Sequence, residues 1–397
     1  MKGTNLLQKL SESQTLAITK KVRQLRKEGR DITGLTLGEP DFDTPDHIRN
    51  AAIEAIREGF THYPPVAGIP DLRQAIADKF RTQNGLDLGP KNVVVSTGAK
   101  QSIVNVIMSL INPGDEVIMG APYWVSYLEM LKMADAKTVT IQTSITNRFK
   151  ITPSLLEAAI TPKTKMLILN SPNNPTGSMY TKQELTELVA VLAKHPHVFV
   201  LADEIYEHIA YDETPTSAAS FPEIADRTII VNGVSKGFAM TGWRIGYIGA
   251  PVWIAELCEK YQGQITSGAS SISQRAALAA LTGPMDPTYA MREEFRRRRD
   301  WMANELEIMP EVASYVPTGA FYFYPDLSVF FGRTAPSGRK IADIDVLCDY
   351  LIMEGGVALI PGTAFGTDAH VRISYAYAME TLQSGMERLG NALAALK

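Results

Sequence analysis

Two hydrophobic rhythms divide the chain. Up to residue 85 the apolar positions recur at helical spacing. Residues 14–28 (QTLAITKKVRQLRKE) predict a helix closed by Gly29, and HIRNAAIEAIREGF and DLRQAIADKFRTQNG predict two more. Between them, DITGLTLGEPDFDTP begins as a short strand and breaks at Gly38 and Pro40, which reads as a loop crossing between domains. THYPPVAGIP is a Pro/Gly loop that leaves Tyr63 exposed.

From residue 93 the rhythm becomes strand, turn, helix. VVVS, DEVIMGA, KTVTIQT, KMLILN, VFVLAD and TIIVNG are short apolar runs, most of them separated by helical segments. Strands buried on both faces need such runs, so the pattern predicts an α/β fold with a mainly parallel sheet between helices. Ligands of such sheets bind beyond the carboxyl ends of the strands. STGAK, APYW, NSPNNPTG, ADEIY and GVSK all fall at those ends. After about residue 285 a long charged helix (MREEFRRRRDWMANELEIM) leads into ASYVPTGAFYFYPDL, a helix at 343–354, the VALIPGTAFG and HVRISYA stretches, and a final helix. The expected division is a large domain over 47–288 and a smaller α+β domain over 289–397, which the N-terminal arm, residues 1–46, completes.

Composition removes whole classes of function. The 397 residues are 45% hydrophobic and 21% charged with a net charge of −4, which fits a soluble globular protein. The RRRR run at 296–299 is expected to be a solvated helix face paired with Glu293 and Glu294, so nucleic acid is not an expected partner. Cys258 and Cys348 stand far apart and match no metal spacing, and neither do the six histidines. No metal is expected. With no signal-peptide core and no run of 18 apolar residues, no membrane association is expected, and the location read from the chain is cytoplasmic.

The stretch VNGVSKGFAMTGWRIGYIG, residues 231–249, carries the most chemistry. A lone lysine, Lys236, follows an apolar run, with Ser235 beside it and Arg244 eight residues on. An amine, a hydroxyl and a guanidinium suit an anionic ligand bearing a carbonyl: the amine can form a Schiff base while the other two hold a phosphate. A solvated loop lysine is the plainer alternative. Asp203, at the end of VFVLAD, fits either a helix cap or an ion pair to a protonated ring nitrogen, with Tyr206 near the same ring. Asn174 in SPNNPTG is either part of a turn or a rigid amide donor. STGAK offers backbone N–H groups at a helix N-terminus. Trp124 or Tyr123 is either core or a stacking face. Arg372, on an otherwise apolar strand, needs an anion: an internal carboxylate or that of a substrate.

SPNNPTG, ADEIY, SKGFAMTGWRIGY and HVRISYA, in this order and spacing, resemble class I/II aminotransferases of fold type I, which use pyridoxal 5′-phosphate. GEPDFDTP, YPPVAGIPDLR, GAKQ and PYWVSY extend the resemblance over nearly the whole chain. Within that family the chain is most similar to the bacterial aspartate aminotransferase branch, subgroup I-beta, some members of which also use prephenate.

The resemblance implies a role for each matching residue. Lys236 is the Schiff-base lysine and proton shuttle, Asp203 pairs with the pyridine nitrogen, and Tyr206 and Asn174 hold the ring hydroxyl oxygen. Trp124 stacks on the ring and borders the substrate. Ser235, Arg244 and the amides of Ala99 and Lys100 take the phosphate, and Tyr63 reaches the phosphate of a neighbouring subunit, which implies a homodimer. Arg372, with Asn174 and the Gly38 backbone, grips the substrate α-carboxylate. Lys100 matches the lysine that replaces a partner-subunit arginine in this branch, and Thr15 matches a position tied to prephenate use. The expected partners are small amino acids and 2-oxo acids, aspartate or glutamate with 2-oxoglutarate or oxaloacetate first. Prephenate or aromatic substrates, or a C–S lyase reaction on the same scaffold, are the alternatives.

Overall fold

In the computed structural model, which describes residues 3–12 and 14–397, the apolar runs become strands at the places their pattern indicates. A two-residue strand, β1 (Thr33–Gly34), comes first. It is followed by β2 (Val93–Ser96), β3 (Glu116–Ala121), β4 (Lys137–Gln142), β5 (Thr164–Asn170), β6 (Phe199–Asp203), β7 (Thr228–Gly233) and β8 (Gly246–Gly249). Strands β2 to β8 form one seven-stranded sheet in the order β2-β8-β7-β6-β5-β3-β4. Strands β3 to β7 pair in parallel, and β8 runs antiparallel to both of its neighbours, β2 and β7.

Burial explains the continuous runs. On β7, Ile229 and Val231 face one side of the sheet while Ile230 faces the other, and all three are fully buried. One side is covered by the helices Ala99–Leu110, Val125–Met133 and Val252–Ile265. The other side is covered by Asp46–Arg57, Pro70–Asn84, Pro153–Ala159, Lys182–Leu192 and Ser271–Thr282. Strand β4 is the exception. It lies at the sheet edge, and its mixed KTVTIQ pattern leaves most of its residues partly or fully exposed.

The second part of the fold is built from β9 (Tyr322–Phe323), β10 (Val357–Ala358), β11 (Ile360–Pro361) and β12 (Val371–Ser374). β1 pairs in parallel with β10, while β11, β12 and β9 form an antiparallel sheet. Leu35 ties the two together: its N–H donates to the Ala358 carbonyl at 2.9 Å and its carbonyl accepts from Ser374 at 3.0 Å. The N-terminal segment is thus hydrogen-bonded to strands more than 300 residues away. The helix Asp286–Glu307 is continuous across residue 288.

The arginine run within that helix corrects the expectation of a solvated face. Arg296 and Arg297 do pair with Glu293 and Glu294 one turn back. Arg298 and Arg299, each 6% exposed, turn inward instead. Arg298 bridges Glu294 and Asp41, at 2.8 and 2.7 Å, over the rings of Phe42 and Phe295. Arg299 reaches Asp212 at 2.6 Å over Tyr211. Asp41 and Asp212 lie far away in sequence, so no local pattern announces them. Cys258 and Cys348 are both buried and free. Among the described residues no helix is long and apolar enough to cross a membrane.

Candidate active site

The carboxyl ends of the parallel strands open onto a cleft of about 580 Å³. Of the site residues singled out from the sequence, all but Tyr63 and Tyr123 line it. Tyr63 sits on the surface, 96% exposed.

Strand β6 delivers Asp203 to the floor of the cleft, where it is 4% exposed. Its Oδ2 accepts from the Tyr127 hydroxyl at 2.6 Å and its Oδ1 from the Ile205 N–H at 3.3 Å. Burial lifts its carboxyl to about 6, against the downward pull of those two donors and of Lys236. No α-helix starts at this strand end, so Asp203 is not a helix cap; the local N–H it binds belongs to a turn. The adjoining strand supports it, since the Asn170 amide donates to the Asp203 carbonyl at 3.0 Å. The Asn170 Oδ1 in turn accepts from the N–H of Asn174 at 2.8 Å, which fixes the SPNNPTG turn.

Lys236 follows β7, and its Nζ donates to the Gly38 carbonyl of the crossing loop. The ammonium lies 5.8 Å from the centre of the Tyr206 ring. Burial is the largest influence on it and lowers its pKa to about 8. Glu39 and Asp203 hold the value up, while Arg372 and Arg244 push it down. A lysine in this range carries a useful neutral fraction near pH 8.

Beside it lies a cradle for an anion. Arg244 takes a left-handed backbone (φ 57°) and donates from Nη1 to the Thr241 carbonyl at 2.8 Å. Its guanidinium presses on Gly98, where a Cβ would fall 2.3 Å from Nη2. Gly246 allows a similar approach, since a Cβ there would meet the Ala99 nitrogen at 2.1 Å. These two glycines bring the arginine against the first turn of the helix Ala99–Leu110. The N–H groups of Ala99 and Lys100 have no backbone acceptor among the described residues and border the cleft together with Ser235. A helix N-terminus, a guanidinium and a hydroxyl on one spot form a donor set for a phosphate.

The far wall comes from β12. Arg372 is 3% exposed and donates from Nη1 to the Asn174 Oδ1 at 3.0 Å and from Nη2 to the Thr36 carbonyl at 2.8 Å. Its Nε is buried without a partner, and no carboxylate pairs with it among the described residues. That decides between the two alternatives for this arginine: it lacks an internal counter-ion, and it borders the cleft. Trp124 stands at the wall with Lys100 Nζ 5.0 Å from its ring, whereas Tyr123 packs under Gly366 away from the cleft. Thr15, on the helix Gln14–Lys27, contributes to the roof. Burial and the nearby Arg244 both lower the pKa of Lys100.

Several lining groups were not foreseen. Glu39 lines the cleft and accepts from the Thr241 hydroxyl at 2.6 Å, and Arg23 stands at the rim. Tyr127 supports Asp203 from beneath. GEPDF and PYWVSY flag these stretches, but only the fold shows which side chain turns inward. With Arg23, Lys100, Lys236, Arg244 and Arg372 against Asp203 and Glu39, the cleft carries excess positive charge, which favours anionic ligands.

The comparisons with known proteins agree with this geometry. Residues 30–389 match the family described as aminotransferase class I and II. The chain is 47% identical over 388 residues to the aspartate/prephenate aminotransferase of Cereibacter sphaeroides, covering 97% of each chain. It is 48% identical to a bifunctional aspartate aminotransferase and glutamate/aspartate-prephenate aminotransferase of Petunia hybrida, covering 97% of this chain and 81% of that one. Among solved structures, the aspartate aminotransferase of Rhizobium meliloti superposes with a TM-score of 0.97 at 41% identity over 100% of both chains. That of Thermus thermophilus with maleate gives 0.92 at 40% identity, over 99% of this chain and 100% of that one. The architecture is fold type I, as the motifs imply.

Proposed function

The chain belongs to aminotransferase class I and II, and on that premise we propose that it moves an amino group between L-aspartate or glutamate and the matching 2-oxo acids, with pyridoxal 5′-phosphate as cofactor. When bound, pyridoxal phosphate supplies an aldehyde to receive the amino group and a protonated ring to take up the electrons released at the substrate α-carbon. The residues present fit that group. The Arg244, Ser235, Ala99 and Lys100 cradle matches its phosphate, and buried Asp203 offers a carboxylate for its ring nitrogen. Trp124 offers a flat face, and Asn174 and Tyr206 offer polar groups toward the ring hydroxyl.

Each residue then has a task set by its surroundings. Asp203 keeps the ring nitrogen protonated, and the positive charge brought next to it would reverse the upward shift that burial imposes. Lys236, with its lowered pKa, takes the proton from the substrate α-carbon through Nζ and would return it, on the same face, to the carbon of the cofactor's aldehyde group. Arg372 receives the α-carboxylate with its guanidinium, next to Asn174 and the Gly38 backbone. Lys100 receives the distal carboxylate, with Thr15 above it. Two half-reactions through one site give ping-pong kinetics.

A homodimer is proposed with Tyr63, exposed and away from its own cleft, completing the phosphate site of the partner. The division of the chain into 1–46, 47–288 and 289–397 is proposed on the pairing of β1 with β10. A cytoplasmic location is proposed on the two unpaired cysteines.

The observation that carries the reading is the convergence of Lys236, Asp203 and a carboxylate-free Arg372 on one cleft. Incubation with L-aspartate and 2-oxoglutarate tests it, with equal amounts of oxaloacetate and glutamate expected. Absence of both products would overturn the transfer, and release of ammonia and pyruvate from a β-substituted donor such as L-cystathionine would indicate elimination instead. Prephenate is the second acceptor to examine, because relatives at 47% and 48% identity carry that substrate in their names.

A further inference from the structure

Tyr322 is fully buried and does not line the cleft, yet it touches three groups that do. Its hydroxyl shares a hydrogen bond of 2.9 Å with the Tyr206 hydroxyl. The Arg372 guanidinium lies 4.6 Å from the centre of its ring. Its hydroxyl also stands 3.5 Å from where a Cβ would project at Gly38. Tyr322 lies on β9, opposite Ser374 of the strand that carries Arg372, while Tyr206 follows the strand that carries Asp203. The phenol pair therefore bridges the two sheets directly behind the site.

The direction of the bridge follows from its neighbours. A phenol can donate once and accept twice. Among the described residues each of these hydroxyls has only the other as a partner. A guanidinium over the Tyr322 ring favours electron withdrawal from its oxygen, which makes Tyr322 the better donor of the two. When Tyr322 donates, the hydrogen of Tyr206 is left to point into the cleft, and hydrogen bonds in series strengthen one another.

We propose that Tyr322 is a positioning residue that orients the Tyr206 hydroxyl as a donor into the cleft and strengthens it. The proposal rests on the reading of Tyr206 as a contact of the cofactor ring oxygen. Tyr322 supplies no atom to the reaction; it sets the aim and acidity of a group that faces it.

Tyr322→Phe keeps every ring contact and removes only the hydroxyl. In the holoenzyme, a weakened donor at Tyr206 destabilises the anionic ring oxygen, so the pH midpoint of the bound-cofactor absorption band should rise by about half a unit or more. Tyr206→Phe should raise it as well, and the double variant should match Tyr206→Phe alone, because Tyr322 acts through Tyr206. The kcat for aspartate should fall severalfold while KM changes little. An unshifted midpoint in Tyr322→Phe, or shifts that add in the double variant, would overturn the proposal and indicate a purely structural tyrosine. Absence of any cofactor band in the wild-type protein would instead defeat the functional reading, so the two failures are distinct.

Discussion

The Tyr127 hydroxyl donates to Oδ2 of Asp203 at 2.6 Å from a helix on the face of the sheet, inside a site where the carboxylate is almost fully buried. That bond, with the Ile205 N–H, offsets only part of the cost of burial, and the Asp203 carboxyl still titrates near 6. Burial outweighs both bonds and the pull of Lys236 at this carboxyl.

A stability prediction follows for the cofactor-free protein. The folded pKa of Asp203, about 6, lies above its ordinary 3.8. Its contribution to stability is therefore fully present below the unfolded value and is lost as pH rises through about 6. Asp203→Asn stays neutral and keeps an acceptor for Tyr127. The variant should gain on the wild type by about 1–1.5 kcal/mol between pH 5 and 8, the rest of the difference arising below pH 5. Urea denaturation of both cofactor-free proteins at the two pH values measures this, and a difference that does not grow with pH contradicts it. The same variant should lose most of its transaminase activity.

Lys236 allows a rate to be predicted. Attachment of pyridoxal phosphate to the cofactor-free protein requires the neutral amine. The rate should climb with pH and level off through about 8, reflecting the lowered pKa of Lys236. Stopped-flow absorbance across that range reads the midpoint directly. A midpoint near the ordinary lysine value of 10.5 would show that burial and the two arginines do not act as described.

Specificity for a dicarboxylate is assigned to Lys100. Lys100→Ala should lower kcat/KM for aspartate by about 30–100-fold, the loss of one charge-assisted hydrogen bond, and change that for alanine or phenylalanine by less than about threefold. Equal losses for all three would move the distal subsite elsewhere, with Arg23 at the rim the next residue to substitute.

Much of the fold was legible because burial on both faces of a sheet demands apolar runs, and five of the seven strands of the large sheet carry one, the edge strand β4 being recognisable only by its alternating pattern. β8 is harder to see: GYIG begins and ends in glycines that let Ala99 and Phe80 approach, so close packing has replaced the side chains that would mark a strand. The site residues were legible through their motifs, which place Lys236, Asp203, Asn174 and Arg372 on one cleft although 198 residues separate the last two. What supports them was not. Tyr127 and Tyr322 are aromatic residues within apolar stretches, and a sequence does not distinguish a ring that only packs from one whose hydroxyl holds a neighbour. Arg298 and Arg299 sit in a charged run, and only their partners, Asp41 and Asp212, show that they are internal.

The most direct test of the central claim is a single half-reaction. Purified holoenzyme is mixed with excess L-aspartate and no 2-oxo acid, and the cofactor absorption band and the oxaloacetate released are followed together. Loss of the band with one equivalent of oxaloacetate per subunit, and neither change in Lys236→Ala, is the predicted result. A band that persists in the presence of aspartate, or oxaloacetate formed equally well by Lys236→Ala, would contradict the assignment of this cleft to aspartate transamination.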